Sequence, residues 1–174
     1  MTRILGIDPG SIVTGYGVID IAARGESAVD WGCIHAQADD WPTRLKIIYD
    51  GIGAVVAEHQ PDEVAIESAF MHRNAASALK LGQARAAALC AVFGVAGGVA
   101  EYAPRAVKLA VVGTGAASKE QVQHMIKALL KLDSAPPSDA ADALAVALCH
   151  SHGRQTRTLL VAAGMRRGGR RRRR

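Results

Sequence analysis

Four acidic residues stand where they could form one metal-binding site. Asp8 ends the apolar run "ILGID", and Glu67 ends a second apolar run, "EVAIE". Asp139 and Asp142 are three residues apart, which places both side chains on one face of the first turn of a helix. Acidic residues at the start of a helix also interact favourably with the helix dipole, so this pair alone would need no functional explanation.

The chemistry open to four converging carboxylates is metal-dependent hydrolysis. Clustered acids repel one another unless cations neutralise them, and oxygen donors without histidine or cysteine partners favour Mg²⁺ or Mn²⁺. Two such ions about 4 Å apart activate a water molecule and stabilise the leaving oxygen of a phosphodiester. The four acids together therefore predict a nuclease or a related phosphoryl-transfer enzyme.

The acids must be positioned by a sheet and a helix. Apolar runs predict five strands, at residues 3–8, 14–22, 28–36, 63–68 and 97–103. The first three are separated only by short connections, which predicts an antiparallel meander. A helical pattern begins at Trp41 and ends before Pro61, so the fourth strand is expected to run parallel to its neighbour. Strand ends that point the same way share one rim of a sheet, and we expect Asp8 and Glu67 to meet there.

The helix predicted at residues 75–93 is unusual because it is apolar on nearly all sides. Asn74 is a favourable N-cap for it, and Gly94 ends it. A helix of this kind must be covered on more than one side. Its many alanines would let a second copy of the chain approach closely, which predicts a homodimer. The alternative is that the helix is sandwiched inside one monomer.

Length and composition are those of a single globular domain. The chain has 174 residues, of which 49% are hydrophobic, enough to bury a sizeable core. It has no uncharged apolar run of about eighteen residues or more and no N-terminal leader pattern, so we expect a soluble, cytoplasmic protein without a membrane partner. The three cysteines, Cys33, Cys90 and Cys149, are widely spaced in apolar sequence and are expected to be reduced, buried thiols.

Positive charge is concentrated at the C-terminal end of the chain. Residues 153–174 contain nine of the 21 lysine and arginine residues and no acidic residue, so residues 1–152 carry a net charge of −4. The ending "MRRGGRRRRR" is of low complexity and self-repelling, which predicts a basic tail that is disordered when free. Such a tail could bind phosphate backbones, or it could simply be a solvated end.

Four segments closely resemble the RuvC family of bacterial Holliday junction resolvases. They are "ILGIDPGSIVTGYGVID", "AIESAFMHRNAASALKLGQARA", "VVGTGAASKEQVQHM" and "SDAADALAVALCH". The resemblance runs in order and with matching spacing from about residue 3 to residue 152. It implies an α/β protein with a ribonuclease H-like fold, in which helices flank a five-stranded mixed sheet whose first three strands are antiparallel. Residues 1–152 would form this nuclease domain, followed by the tail.

The family resemblance also implies an activity and a set of catalytic residues. Family members are homodimers that bind a four-way DNA junction and nick two opposed strands symmetrically, in homologous recombination and DNA repair. Asp8, Glu67, Asp139 and Asp142 would be the catalytic carboxylates that bind two divalent metal ions. Asp8 would bridge both ions, and water would be the nucleophile. A branch-migration complex of the RuvA–RuvB type is an implied partner.

Five further residues would contact DNA according to the same resemblance: Phe70, Arg73, Arg105, Lys108 and Lys119. Phe70 matches an aromatic residue that the family uses against bases at the junction, and stacking of this kind contributes roughly 1–3 kcal/mol. A lysine near the scissile phosphate would supply positive charge without binding metal. The alternatives are that Phe70 packs beside the strand and that the lysines are ordinary surface residues.

Two rival functions fit parts of the sequence. The stretch "GIDPGS" also resembles the first phosphate loop of sugar kinases and actin-like ATPases. Those proteins need a duplicated domain and a second glycine-rich loop, for which 174 residues leave no room. The other rival is a protein that binds junctions without cutting them, and the presence of all four acids argues against it.

Overall fold

The computed structural model describes residues 1–68 and 74–168, with side chains described through residue 154. Its strands are β1 Thr2–Asp8, β2 Val13–Ala22, β3 Gly25–His35, β4 Glu63–Glu67 and β5 Val99–Tyr102. Its helices are α1 Trp41–His59, α2 Ala75–Ala91, α3 Pro104–Val112, α4 Lys119–Leu129 and α5 Ser138–Gly168. None of the helices in these ranges is long and apolar enough to span a membrane.

The strands form one mixed sheet in the order β3-β2-β1-β4-β5. The pairs β1–β2 and β2–β3 are antiparallel, and the pairs β1–β4 and β4–β5 are parallel. This confirms the predicted α/β fold and the antiparallel meander of its first three strands. The third strand starts three residues earlier than predicted, because Ala22 pairs directly with Gly25 across a two-residue turn.

Both faces of the sheet are covered by helices. Ile4 and Ile19 are cross-strand partners that point to α3, α4 and α5, whereas the next pair, Leu5 and Val18, points to α1 and α2. All four side chains are fully buried. Burial on both faces explains why the first strands read as nearly continuous apolar runs rather than as a strict alternation.

Helix α5 lies unusually close to the sheet because small residues meet at the contact. A β-carbon at Gly6 of β1 would come 2.1 Å from the carbonyl oxygen of Ala143. The first turns of α5 are rich in alanine, and Ala140, Ala143 and Ala147 are fully buried. The start of this helix, with its acidic residues, is therefore held against β1 and β2.

The described residues cover helix α2 on one side only. Its buried residues are Ala84 and Ala88, whereas Leu79 is 65% exposed and Phe93, just beyond the helix, is 78% exposed. The alternative that this helix is sandwiched inside one monomer is therefore wrong. The expectation of three buried thiols is also wrong, because Cys90 is exposed on the uncovered side and only Cys149 is buried.

The C-terminal helix extends beyond the predicted end of the nuclease domain. Helix α5 continues without a break through Gly168, so the basic tail begins as a continuation of this helix and not after its end. Ser138 is the first residue of this helix. The domain boundary at residue 152 stays a prediction, and residues 169–174 lie outside the described residues.

Candidate active site

Asp8 and Glu67 are the last residues of two neighbouring parallel strands. Ile7 of β1 pairs with Ile66 of β4, so the next residue of each strand, Asp8 or Glu67, stands beside the other at the strand ends. The two carboxylates therefore stand at one rim of the sheet, where the spacing of the apolar runs predicted them. The carboxyl edge of a parallel pair is where α/β proteins usually bind ligands.

The loop after Asp8 folds back on itself and leaves the carboxylate at an open cleft. The Thr14 hydroxyl is fully buried, donates to the carbonyl oxygen of Gly10 at 3.0 Å and accepts from the Gly10 N–H at 3.3 Å. A β-carbon at Gly10 would come 1.9 Å from the carbonyl oxygen of Val13. Glycine at this position thus permits the tight return into β2, and Asp8 lines the cleft beside it.

Gly15 allows the first turn of α5 to approach the same rim closely. It is the cross-strand partner of Asp8, and a β-carbon on it would come 2.0 Å from the carbonyl oxygen of Asp139. Asp139 and Asp142 are thereby brought over the end of β1. Sequence reasoning missed this role, although the alternating glycines of "GYG" in β2 were a visible signal of a close approach.

Three of the four predicted acids form a tight group. Carboxylate oxygens of Asp8, Asp139 and Asp142 all lie within 4.8 Å of one another. Glu67 is not in this group, but it lines the same cleft as Asp8 and Asp142, with a volume of about 340 Å³. The four predicted acids thus share one site, with Glu67 at its side.

Burial and mutual repulsion make these acids costly to ionise. Burial, followed by the charges of Glu67, Asp142 and Asp139, raises the pKa of Asp8 to about 8. Burial and the charge of Asp142 raise the pKa of Glu67 to about 7, although two lysines at the cleft act in the opposite direction. Cations beside such a group stabilise its charged form.

Lys119 supplies positive charge to the acidic group. Its Nζ lies 3.4 Å from Oδ2 of Asp142 and 3.9 Å from Oδ1 of Asp139. Burial acts to lower the pKa of Lys119, but the nearby acids outweigh this effect and hold that pKa above its usual value. Lys119 begins α4, and its backbone is fixed by a capping box between Ser118 and Gln121.

Lys108 and Arg105 hold a loop near the cleft. Lys108 lines the cleft, yet its Nζ donates to the carbonyl oxygen of Ala117 at 2.8 Å. The Arg105 side chain lies against Gly115, where a β-carbon would come 2.5 Å from its Cγ. Lys108 thus fastens the loop between α3 and α4 by a hydrogen bond and Arg105 packs against it, structural roles that the sequence did not suggest. Their DNA contacts stay predictions.

The segment between Glu67 and α2 carries two further predicted residues. Phe70 and Arg73 lie outside the described residues, so their predicted contacts with DNA stay predictions.

A second cleft, of about 500 Å³, adjoins the acidic one. Leu81 lines both clefts, and Asp139 of the acidic group lines the second. Its other walls are the loop at residues 10–13 and Ser77 of α2. The two clefts share Leu81 as a wall and are both lined by acids of the site, and together they are called the groove.

His150 belongs to a buried polar network that sequence reasoning did not find. Its Nδ1 lies 2.8 Å from Oη of Tyr102, and its Nε2 lies 2.7 Å from Oε2 of Glu63. The histidine is 4% exposed. These contacts tie α5 to β4 and β5. The only sequence signal was a histidine within an apolar helix.

The donor atoms of the acidic group fit a hard divalent cation. Within the described part of the chain, the group that could hold a metal ion consists of carboxylates alone, without histidine or cysteine. Carboxylate oxygens are the ligands that Mg²⁺ and Mn²⁺ prefer, whereas zinc sites are usually built with nitrogen or sulfur. The arrangement can therefore support metal-dependent cleavage of a phosphodiester.

Comparison with known proteins points to one family. The family model for crossover junction endodeoxyribonuclease RuvC matches residues 4–150. The crossover junction endodeoxyribonuclease RuvC of Shewanella loihica is 55% identical over 164 residues, which cover 94% of this chain and 93% of that protein. The protein of the same name from Chromohalobacter salexigens is 52% identical over 172 residues, covering 99% of this chain and 92% of that one.

Solved structures agree with the sequence comparison. A Thermus thermophilus RuvC structure has a TM-score of 0.79 and 33% identity, covering 89% of this chain and 96% of that one. A structure of T. thermophilus RuvC in complex with Holliday junction substrate has the same TM-score and 34% identity, covering 87% and 93%. Nucleases of this family are metal-dependent, and an acidic group is present here. The chain belongs to the RuvC family of crossover junction endodeoxyribonucleases.

Proposed function

We propose that this protein is a Holliday junction resolvase that hydrolyses phosphodiester bonds in opposed strands of a four-way DNA junction. One observation carries the proposal: the carboxylates of Asp8, Asp139 and Asp142 lie within 4.8 Å of one another beside an open cleft. The substrate is supported by the family, since a relative of this chain is solved in complex with Holliday junction substrate. Action in homologous recombination and DNA repair follows from that substrate.

The acids would hold two divalent ions per site. Asp8, Asp139 and Asp142 would bind them, with Glu67 completing the set from the neighbouring strand. We assign Mg²⁺, with Mn²⁺ able to substitute, because the donors are hard oxygen atoms. Bound ions would supply the charge that activates an attacking water and stabilises the leaving oxygen. Asp8 interacts electrostatically with all three other acids, which supports it as the ligand shared by both ions.

Water is the proposed nucleophile because of what lines the acidic cleft. Among the described residues, the cleft is lined by acids, lysines and apolar side chains, and no hydroxyl or thiol group faces it. A covalent intermediate on the protein would need such a group. The acids of this chain would therefore orient the phosphodiester and the water, while Lys108 and Lys119 would offset the charge of the approaching phosphate.

Contacts with the junction are proposed along the groove. Lys108 and Lys119 line the acidic cleft, and the side chain of Arg105, at the start of α3, lies against Gly115 of the loop between α3 and α4. Phe70 and Arg73 follow Glu67 in sequence, and we assign them base stacking and a phosphate contact because of their family motif. The eight arginines of residues 155–174 would add contacts to phosphate backbones that do not depend on sequence.

A homodimer is proposed to form through the uncovered side of α2. Leu79, Ala86, Cys90 and Phe93 recur at helical spacing along this side, and all four are exposed. Apolar residues of this size on a long exposed stripe favour burial against another surface. A second copy of the chain would bury them and would give two active sites, one for each of the opposed strands.

Partner and location follow from the proposed substrate. A four-way junction arises on chromosomal DNA, so we assign the protein to the cytoplasm. A branch-migration complex of the RuvA–RuvB type is proposed to deliver the junction, on the basis of family membership alone. The sugar kinase alternative does not fit, because the RuvC family model matches residues 4–150.

The proposal is tested by cleavage of an immobile four-way junction and of a linear duplex of the same sequence, with and without Mg²⁺. Paired, symmetric nicks are expected in the junction only, and only when Mg²⁺ is present. Comparable cleavage of the duplex, or cleavage that needs no divalent metal, would contradict the proposal. Tight junction binding without any cleavage would instead favour the alternative of a binding protein that lacks nuclease activity.

A further inference from the structure

Lys119 contacts the same acids that the proposed metal site would use. Its Nζ lies 3.4 Å from Oδ2 of Asp142 and 3.9 Å from Oδ1 of Asp139. Together with Asp8, these two residues form the group whose carboxylate oxygens lie within 4.8 Å of one another. The ammonium group therefore acts as a monovalent cation bound to the acidic group by the chain itself.

The Lys119 side chain is able to leave this position without any change in the fold. It is 61% exposed. Its backbone is held independently, because the Ser118 N–H donates to Oε1 of Gln121 at 2.8 Å and the Gln121 N–H donates to Oγ of Ser118 at 3.3 Å. A lysine side chain has a flexible stem of four carbons between this anchored backbone and its charge. The ammonium group can thus move while α4 stays in place.

Lys108 lines the same cleft but is held differently. Its Nζ donates to the carbonyl oxygen of Ala117 at 2.8 Å, so its partner is a neutral backbone group and not one of the acids. The two lysines therefore present the same charge to one cleft, but only Lys119 competes for carboxylate oxygens. This difference makes Lys108 a matched control for Lys119.

An ammonium group and a divalent ion that bind the same carboxylate oxygen weaken each other's binding, because both are cations. We propose that Lys119 is an exchangeable internal cation, which neutralises Asp139 and Asp142 when no divalent ion is bound and yields its place when one binds. The released ammonium group then becomes available to a phosphate of the DNA strand. This inference rests on the proposed metal site, and it adds that metal binding and lysine placement are coupled.

The coupling is tested by calorimetric titration of the DNA-free protein with Mn²⁺. Lys119→Met is expected to bind Mn²⁺ roughly threefold to tenfold more tightly than the wild type, because a competing cation at a partly exposed site is removed. Lys108→Met removes the same charge from the same cleft without removing a competitor, so a smaller increase is expected. Equal increases in both variants, or no increase in Lys119→Met, would overturn the exchange.

A second measurement follows the amine of Lys119 directly. Reductive methylation of the wild-type protein, read out by mass spectrometry of peptides, reports how freely each lysine reacts. Mg²⁺ at a saturating concentration is expected to speed the methylation of Lys119 and to leave that of Lys108 unchanged. A rate for Lys119 that stays the same under saturating Mg²⁺ would also overturn the exchange.

Failure of the metal site and failure of the exchange give different results. If neither the wild type nor Lys119→Met binds Mn²⁺, the proposed metal site is wrong, and the proposed exchange is wrong as well. If both bind Mn²⁺ with the same affinity, and Asp8→Asn abolishes binding, the metal site stands and the exchange alone is wrong.

Discussion

The backbone of Gly15 lies directly against the carbonyl oxygen of Asp139. A β-carbon at position 15 would come 2.0 Å from that oxygen. Gly15 is also the cross-strand partner of Asp8, so the missing side chain lets the first turn of α5 settle beside the end of β1. The approach of Asp139 to Asp8 therefore depends on a residue that has no side chain.

Gly15→Ala is expected to displace the first turn of α5 and to weaken metal binding. Overpacking of this kind costs about 1–3 kcal/mol of unfolding free energy. Urea unfolding and Mn²⁺ titration would measure both effects. The control is Gly53→Ala in α1, where a β-carbon meets nothing within 4 Å. The control should keep its metal affinity, and unchanged affinity in folded Gly15→Ala would show that the close approach is not required.

The ion pair between Arg3 and Asp20 is expected to make stability depend on pH. Arg3 Nε donates to Oδ1 of Asp20 at 2.8 Å, and Arg3 Nη2 donates to Oδ2 at 2.9 Å. These hydrogen bonds, and the charge of Arg3, hold the pKa of Asp20 below its ordinary value although burial acts against them. An acid whose pKa is lowered on folding stabilises the protein above its unfolded pKa, and this stabilisation is lost as the pH falls through the folded pKa.

Asp20→Asn is therefore expected to lower the free energy of unfolding by about 1–3 kcal/mol at neutral pH. The difference from the wild type should begin to shrink below roughly pH 4, where Asp20 of the unfolded chain takes up a proton, and should be lost as the pH falls through the lower pKa of the folded protein. Urea unfolding across this pH range measures it. Asp50→Asn, which breaks an exposed pair with Lys46, should have little effect at any pH. A difference that stays constant into acid would contradict the assigned role of the Asp20 charge.

Much of the fold could be predicted because its signals are local. Apolar runs located the five strands to within a few residues, and the helix between the third and fourth strands implied the parallel pairing. The acids at the ends of β1 and β4 could be placed on one rim for the same reason. What the sequence could not show were contacts between distant segments, such as Gly15 with Asp139 and His150 with Glu63.

The predictions for α2 show where local reasoning fails. The composition of the helix indicated that it must be covered, but it could not show whether the same monomer or a second copy of the chain covers it. In the structure, Ala84 and Ala88 are buried in the cluster that includes residues of α1 and of the sheet, while Leu79 and Cys90 are exposed. Whether a residue in an apolar helix is buried depends on what the rest of the chain places against it, which the helix sequence does not contain.

The tail is expected to make DNA binding more sensitive to salt. The test uses a deletion of residues 155–174, which keeps Arg154. Arg154 belongs to the folded body, because its Nη2 lies 3.2 Å from Oε1 of Glu63. The truncated protein should bind the junction more weakly, with a flatter slope of log affinity against log salt concentration. A slope equal to that of the full chain would identify the tail as a solvated end.

Phe93→Asp is expected to break the proposed dimer. Sedimentation should show the wild type at about twice the chain mass of 18.2 kDa and the variant near the monomer mass. The control is Leu109→Asp on α3, which changes an exposed apolar residue on the opposite face of the sheet from α2 and should leave the dimer intact. A wild type that sediments as a monomer would remove the basis for paired nicks.

The role of the acidic group as the active site is tested most directly by comparing junction binding with junction cleavage by Asp8→Asn. Asp8 lies in the group of three carboxylates and interacts with all of the other site acids. The variant is expected to bind an immobile four-way junction at least as well as the wild type but not to cleave it in Mg²⁺. The exposed acid Asp39, changed to Asn, should leave both properties unaltered. Cleavage by Asp8→Asn at the wild-type rate would contradict the assignment of the acidic group as the active site.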